Sequence, residues 1–303
     1  MIRFFYRPAV HAAAGNHGQA TTLLVVVSGT LLAVVFTDVA LHHYYLGRQA
    51  AADAIDSIAL SAATWEARGL NLIAALNDGA MQCIRVIRWT CVIWGVLAVS
   101  AAFGVGVPAF LAFTRQARRI VPGYWDTAHL LVDWSGKIRK AVPFLLLAET
   151  ASLAKKSNVT GVLYPLNPRG PHDGKGTLEL HVAPGPPLHL AEAIAPVTGA
   201  LDRLKKTRIL KGAIKTVVAA LDAALRGILG VTKGPIRMLS PEPDFRERQW
   251  VRFTGYMERS VLPIPFLGEG GSRRFPSTAD AEPYGGTSTE MTWNSRLARR
   301  GTP

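Results

Sequence analysis

"GQATTLLVVVSGTLLAVVFTDVALHHYYLGRQAAADAIDSIALSA", Gly18 to Ala62, passes without a break from an apolar run into an alanine-rich, mildly charged one. Between Ala20 and Ala40 the only charged residue is Asp38, near the end of the run. A helix of that length rises about 30 Å, the thickness of a bilayer hydrocarbon core. A cleaved secretory signal has a shorter apolar core, roughly 7–15 residues, followed by a small-residue cleavage site. Here the pattern continues past Ala40 with no turn residue before Gly47, which predicts a retained anchor. Arg3 and Arg7 precede the run with no acid among residues 1–17, which predicts a cytoplasmic N-terminus. His42, His43, Tyr44 and Tyr45 then fall at the outer interface, where amphipathic rings are favoured. Asp38 is placed either to reach the head groups or to make a polar contact with a partner transmembrane helix.

From Arg48 to Asn77 the periodicity is helical: Ile55, Ile58, Ala59, Ala62, Leu72, Ile73 and Leu76 recur at three- and four-residue steps. So much alanine lets a neighbour approach closely, and this face reads as a surface for packing on a partner. A second uncharged stretch, Thr90 to Phe113, lies between Arg85 and Arg88 on one side and Arg115, Arg118 and Arg119 on the other. Its length suits a second apolar helix able to span, and its small residues and Pro108 suit transmembrane packing. Were it to span, residues from 114 onward would return to the cytoplasm; were it to lie in the interface or on the first helix, they would be periplasmic.

Residues 123–156 read as a further helix, with Leu130, Leu131, Trp134, Ile138, Val142 and Leu145 on one side and a kink at Pro143. "YPLNPRGPHDGKG" (164–176) breaks the pattern, and "TLELHVAPGPP" alternates as a short strand through Leu178, Leu180 and Val182. Residues 190–229 read as a long amphipathic helix or a helix pair, and Lys205, Lys206, Arg208, Lys211 and Lys215 load its first half with positive charge. "RERQWVRFTGYMERS" reads as a strand, and the Gly-, Pro-, Ser- and Thr-rich residues 263–303 as a loop-rich tail. The expected organisation is therefore mainly α. A basic lead (1–17) is followed by the anchor with its Ala-rich helix (18–80) and a second apolar helix (81–120). A small mixed α/β region (121–262) and the tail (263–303) complete it.

The chain carries 34 Lys+Arg against 21 Asp+Glu, a net charge of +13, so its partners are expected to be anionic. For a membrane-attached chain that means phospholipid head groups before nucleic acid. Cys83 and Cys91, the only cysteines, lie about two helical turns apart, too far for a bridge within one regular helix, and read as small packing residues. "GPHDGKGT" lacks the spacing of a phosphate-binding loop, because Arg169 and Gly176 stand where Gly and Ser or Thr are needed. His172 and Asp173 are neighbours in that loop, with only His181 and His189 near in sequence, too little for a metal site. No nucleophile sits in a G-x-S-x-G context. These readings predict a non-catalytic protein with no cofactor and no metal.

The order of features resembles the TadE/TadG-like proteins of Flp (tight adherence) pilus assembly. The resemblance rests on Gly18-Gln19-Ala20 opening an apolar helix, Asp38 near its end, "HHYYLGRQ", and the alanine-rich "AAADAIDSIALSAA". "TWEARGLNLIAALND" and the C-terminal "WNSRLAR" (Trp293 to Arg299) resemble a subgroup of that family. Prepilin-like members carry a glutamate at the fifth position after the cleavage glycine. Counted from Gly18 that position is Leu23, and from Gly15 it is Ala20, so the resemblance implies a TadG-like uncleaved anchor rather than a processed pseudopilin. It implies a bacterial inner-membrane component of a pilus or secretion machinery that acts by helix packing. Its partners would be other membrane proteins of that machinery, and its contact residues Asp38, Tyr44, Tyr45, Asp53, Ala59 and Ala62. The alternative is a membrane-surface module that binds anionic lipid through the basic helix 201–215.

Overall fold

The computed structural model describes residues 9–164, 178–195, 198, 199, 213–231, 234–263 and 270–298. The anchor and the Ala-rich segment belong to one unbroken helix, α1 (Ala9–Ala102), of 94 residues. At 1.5 Å per residue it is about 140 Å long. No proline occurs in it, and the hydroxyls of Thr30, Thr37 and Thr64 donate to the carbonyl four residues back, which gives them a partner without interrupting the helix.

The second apolar stretch does not form the single helix expected of it. Phe103–Gly106 is a tight turn with Gly104 and Gly106 at φ 82° and 81°, a left-handed conformation that side chains disfavour. Pro108 sits in the first turn of α2 (Val107–Lys156), where its missing N–H costs nothing. Residues 90–102 thus end α1, residues 107–113 begin α2, and α2 runs back antiparallel along α1. Trp94 Nε1 donates to Thr114 Oγ1 at 2.8 Å, holding the two arms in step. Because Ala117, Val121, Trp125 and Ala128 share a core with Ala80, Ile84 and Ile87, the chain beyond the hairpin lies beside the stalk that precedes it.

The expected apolar side of α2 is only partly the inward one. Val142 is buried, but Leu130, Trp134 and Leu145 are about half exposed. The buried residues instead include Ala117, Val121, Trp125, Ala128, Ser135 and Leu146. Small residues face α1 because two long helices in close register leave little room between them. Both Pro122 and Pro143 lie inside α2.

After α2, β1 (Val159–Tyr164) enters a four-stranded antiparallel sheet of order β1-β4-β5-β6, with β4 (Val251–Val261), β5 (Gly271–Tyr284) and β6 (Asn294–Ala298). A small second sheet pairs β2 (Val182–Pro184) with β3 (Leu239–Pro241). Helix α3 (Ala213–Val231) packs Leu221, Ala224 and Leu225 on the hairpin, and the short α4 (Phe245–Arg248) precedes β4. The expected strand at 246–260 is therefore helical in its first residues and a strand from Val251. Among the described residues of "TLELHVAPGPP", Val182–Pro184 is the strand, although Leu178, Leu180 and Val182 are all buried.

The expected loop-rich tail is in fact half of the main sheet. β5 hides in the sequence because one face is polar: directly opposed residues pair as Arg252 with Asp280, Glu258 with Arg274 and Glu282 with Arg296. Opposite charges facing across strands support the register. On the other face Phe253, Met257, Phe275, Ala279 and Ala281 close over Ala51, Ile55, Ile58, Ala59, Ala62 and Ala63 of α1.

Candidate assembly interface

Along its length α1 changes surroundings. Between Leu23 and Leu41 its large side chains are exposed; Leu23, Val25 and Phe36 show 68%, 64% and 61% of their surface. This stretch belongs to the one helix, among the described residues, that is long and apolar enough to cross a membrane. Cover begins at Ala40 and Tyr44, whose ring meets Phe275 edge-on at 5.2 Å. Gly47 follows under the same ring, where an added Cβ would sit 2.9 Å from it.

The expected contact residues fall on both sides of that boundary. Asp38, Tyr45 and Asp53 are exposed and Tyr44 is half-buried. Ala59 and Ala62 are fully buried in the chain's own cluster, so their small size serves the approach of α1 to its own sheet, not of a partner. Ile55, Ile58 and Ile73 are buried with them, whereas Leu72 is about half exposed. Lys205, Lys206, Arg208 and Lys211 lie outside the described residues, as do His172 and Asp173; Lys215 falls in α3, with its side chain not described.

Beyond the boundary, α1 carries a row of polar side chains that peg the C-terminal strands. Thr64 Oγ1 and Ser295 Oγ lie 2.8 Å apart. Asn71 Nδ2 donates to the Trp293 carbonyl while its Oδ1 accepts from the Trp293 N–H, both at 3.0 Å. Asn77 Nδ2 donates to the carbonyls of Leu239 and Ser288. The two stretches "ARGLN" and "WNSRLAR", 222 residues apart, therefore meet through Asn71 and Trp293. An amide side chain offers both donor and acceptor, so it can satisfy one residue's backbone as a neighbouring strand would.

Sequence reading missed a second polar network. Glu66 is fully buried on α1, where Gln249 Nε2 donates to its Oε1 at 2.7 Å and its Oε2 has no hydrogen-bond partner among the described residues. Burial holds its carboxyl well above the usual range, against the opposing effect of the Gln249 hydrogen bond. Gln249 Oε1 in turn accepts from the His181 N–H at 2.7 Å. His181 Nε2 lies 2.8 Å from both a Glu242 and an Asp244 oxygen, and Arg248 Nε reaches Asp244 at 2.8 Å. The His181 contact is the main cause that lowers the Asp244 carboxyl. These three groups could hold a divalent ion, but their distances are those of hydrogen bonds. Beside them a cleft of about 480 Å³ is lined by Phe245, Arg246, Tyr284, Trp293 and Arg296 among others. The sequence signal was the turn "SPEPD", whose acids have a histidine partner more than sixty residues away.

Comparison with known proteins yields no relative: no family model matches the chain, and neither a curated protein nor a solved structure is similar to it.

Proposed function

We propose that this chain is a membrane-anchored, non-catalytic component of a pilus or secretion assembly of the Flp/Tad type. Residues 20–40 would form the anchor and the contact surface for other membrane subunits. The observation that carries this reading is the change along α1: one continuous helix is apolar and uncovered before Ala40 and buried under its own sheet and α2 after Ala51. Bare leucine, valine and phenylalanine at that density are stable in lipid or against another apolar helix, and costly in water. Asp38, exposed near the end of the run, would then be a polar contact to a neighbouring anchor or to head groups. The resemblance at residues 18–80 supplies the machinery. The return of α2 along α1 supports a location of the described C-terminal elements on the side opposite the N-terminus, which would be the periplasmic side for a cytoplasmic lead.

The full-length chain is expected to remain in the membrane fraction after alkaline extraction, with residues 1–18 still attached by mass spectrometry. A mature N-terminus at Asn16 or Gln19 would contradict the retained anchor. A reporter fused at residue 303 is expected to be active in the periplasm. A photo-crosslinker at Leu24, Phe36 or Asp38 should capture a membrane-protein partner that the same probe at Glu258, exposed on the polar face of the sheet, does not.

A further inference from the structure

The tip of the α1–α2 hairpin is a second bare apolar surface among the described residues. From Trp89 to Thr114 no charged residue occurs. Inside the hairpin Cys91, Trp94, Ala98, Ala101 and Phe110 are buried, so the arms are already packed on each other. Outside, Trp89, Val96, Phe103, Val105 and Leu111 are exposed, and Phe103 and Val105 at the turn show 67% and 70% of their surface. Directly behind this tip stand Arg85 and Arg88 on one arm and Arg115, Arg118 and Arg119 on the other, all exposed. No acid occurs between Asp78 and Asp126 to neutralise them.

We infer that this tip is a wedge that inserts into one leaflet of an anionic bilayer, with the arginine collar on the head groups. From Phe103 back to Trp89 the arm rises about 21 Å, enough to enter the acyl region and short of the roughly 30 Å needed to span. Trp89 marks the collar side of that depth, where indole rings are favoured. Tip-to-tip pairing of two copies would bring two collars of like charge together, whereas anionic lipid attracts them.

The second half of the inference rests on the anchor proposed above. Residues 41–88 separate the two apolar surfaces by about 70 Å of unbroken helix. A helix of that length cannot place both in one bilayer about 30 Å thick. The wedge is therefore aimed at a membrane other than the one the anchor crosses, and α1 is the spacer of a tether.

The test is capture of labelled vesicles by the full chain. Flotation first reads whether the chain enters phosphatidylcholine vesicles by itself; failure there counts against the anchor alone. Capture is then measured with the chain held on phosphatidylcholine vesicles, through residues 20–40 or through an N-terminal histidine tag on nickel-chelating lipid. Labelled acceptor vesicles with about one-third phosphatidylglycerol should be captured at least tenfold better than pure phosphatidylcholine ones. Phe103→Asp with Val105→Asp should abolish capture, and replacing the five collar arginines by glutamine should reduce it at least tenfold, with helix content unchanged by circular dichroism. Capture that ignores acceptor charge or survives both variants would overturn the wedge; the second result would point to the basic stretch 203–215. Clustering of the donor vesicles without acceptors would overturn it in favour of a second copy.

Discussion

The two parts of α1 have the same backbone and opposite surroundings. Before Ala40 the side chains are large, apolar and bare; from Ala51 to Ala101 the inward ones are mostly Ala and Ile, and they are covered by the sheet, β2, β3 and α2. The front part has the bulk that suits lipid or a partner helix, and the rear part has the small size that lets the chain's own elements come close. Helix propensity is higher in the alanine-rich rear part, yet both parts are helical, and what separates their surroundings is where the apolar area is removed from water.

Substitutions should separate the two parts by size of effect. The largest is expected at Trp125, fully buried between the hairpin arms and α3. Trp125→Ala should destabilise the fold by about 3–5 kcal/mol in denaturant unfolding. Next is Gly69, where an added Cβ would lie 2.5 Å from a Val142 methyl and 3.1 Å from Leu180. Gly69→Leu should cost about 1–3 kcal/mol by overpacking. Asn71→Ala leaves both the N–H and the carbonyl of Trp293 without their partner. It should cost about 1–3 kcal/mol and raise hydrogen exchange at β6 before the rest of the sheet. Uniform exchange instead would mean that the Asn71 peg is not what holds that strand.

The packed part should also carry a pH signature that the bare part lacks. Burial raises the Glu66 carboxyl in the folded chain, so below the ordinary range near 4.5 it is neutral in both states and has no effect. As pH rises past that value the unfolded chain releases the proton and the folded one does not, so stability falls until the raised folded value is passed. Glu66→Gln removes the titration while still accepting from Gln249. The variant should be the more stable protein at neutral pH, and its stability should lack the decline expected of the parent as pH rises above the ordinary carboxyl range. An unchanged slope would mean that another group titrates.

Which of these residues the sequence discloses follows from the distance over which each is determined. The helix at 48–77 and its inward Ile55, Ile58, Ala59 and Ala62 are set by local period, and they stand where the period puts them. Its partner is not local: the alanine face that reads as a surface for another subunit is filled by Phe253, Phe275 and Ala279, some two hundred residues on. β5 escapes notice because its outward Arg274, Asp280 and Glu282 are balanced by charges on other strands, which no window of sequence contains. The side of α2 is misphased because periodicity weights bulk, whereas a close helix pair buries Ala117, Ala128 and Ser135 and turns Leu130 and Trp134 outward. For the same reason nothing in the local sequence marks Glu66 and Asn71, whose partners Gln249 and Trp293 lie far along the chain.

The smallest expected effect is the one that tests the comparison most directly. Leu31, exposed in the bare part of α1, belongs to none of the core clusters of the described residues, so Leu31→Ala should leave the unfolding of the sheet and hairpin within about 0.5 kcal/mol of the parent in detergent. The helix itself should not object, since alanine is the better helix former. Leu31→Asp should be equally silent in that measurement and yet weaken retention in the membrane fraction, because an ionised carboxyl near the middle of the apolar run is costly in hydrocarbon. If Leu31→Ala instead destabilised the sheet, the front of α1 would be packed on the chain after all. The bare surface would then be a core covered by the chain itself, and the anchor would lose its main support.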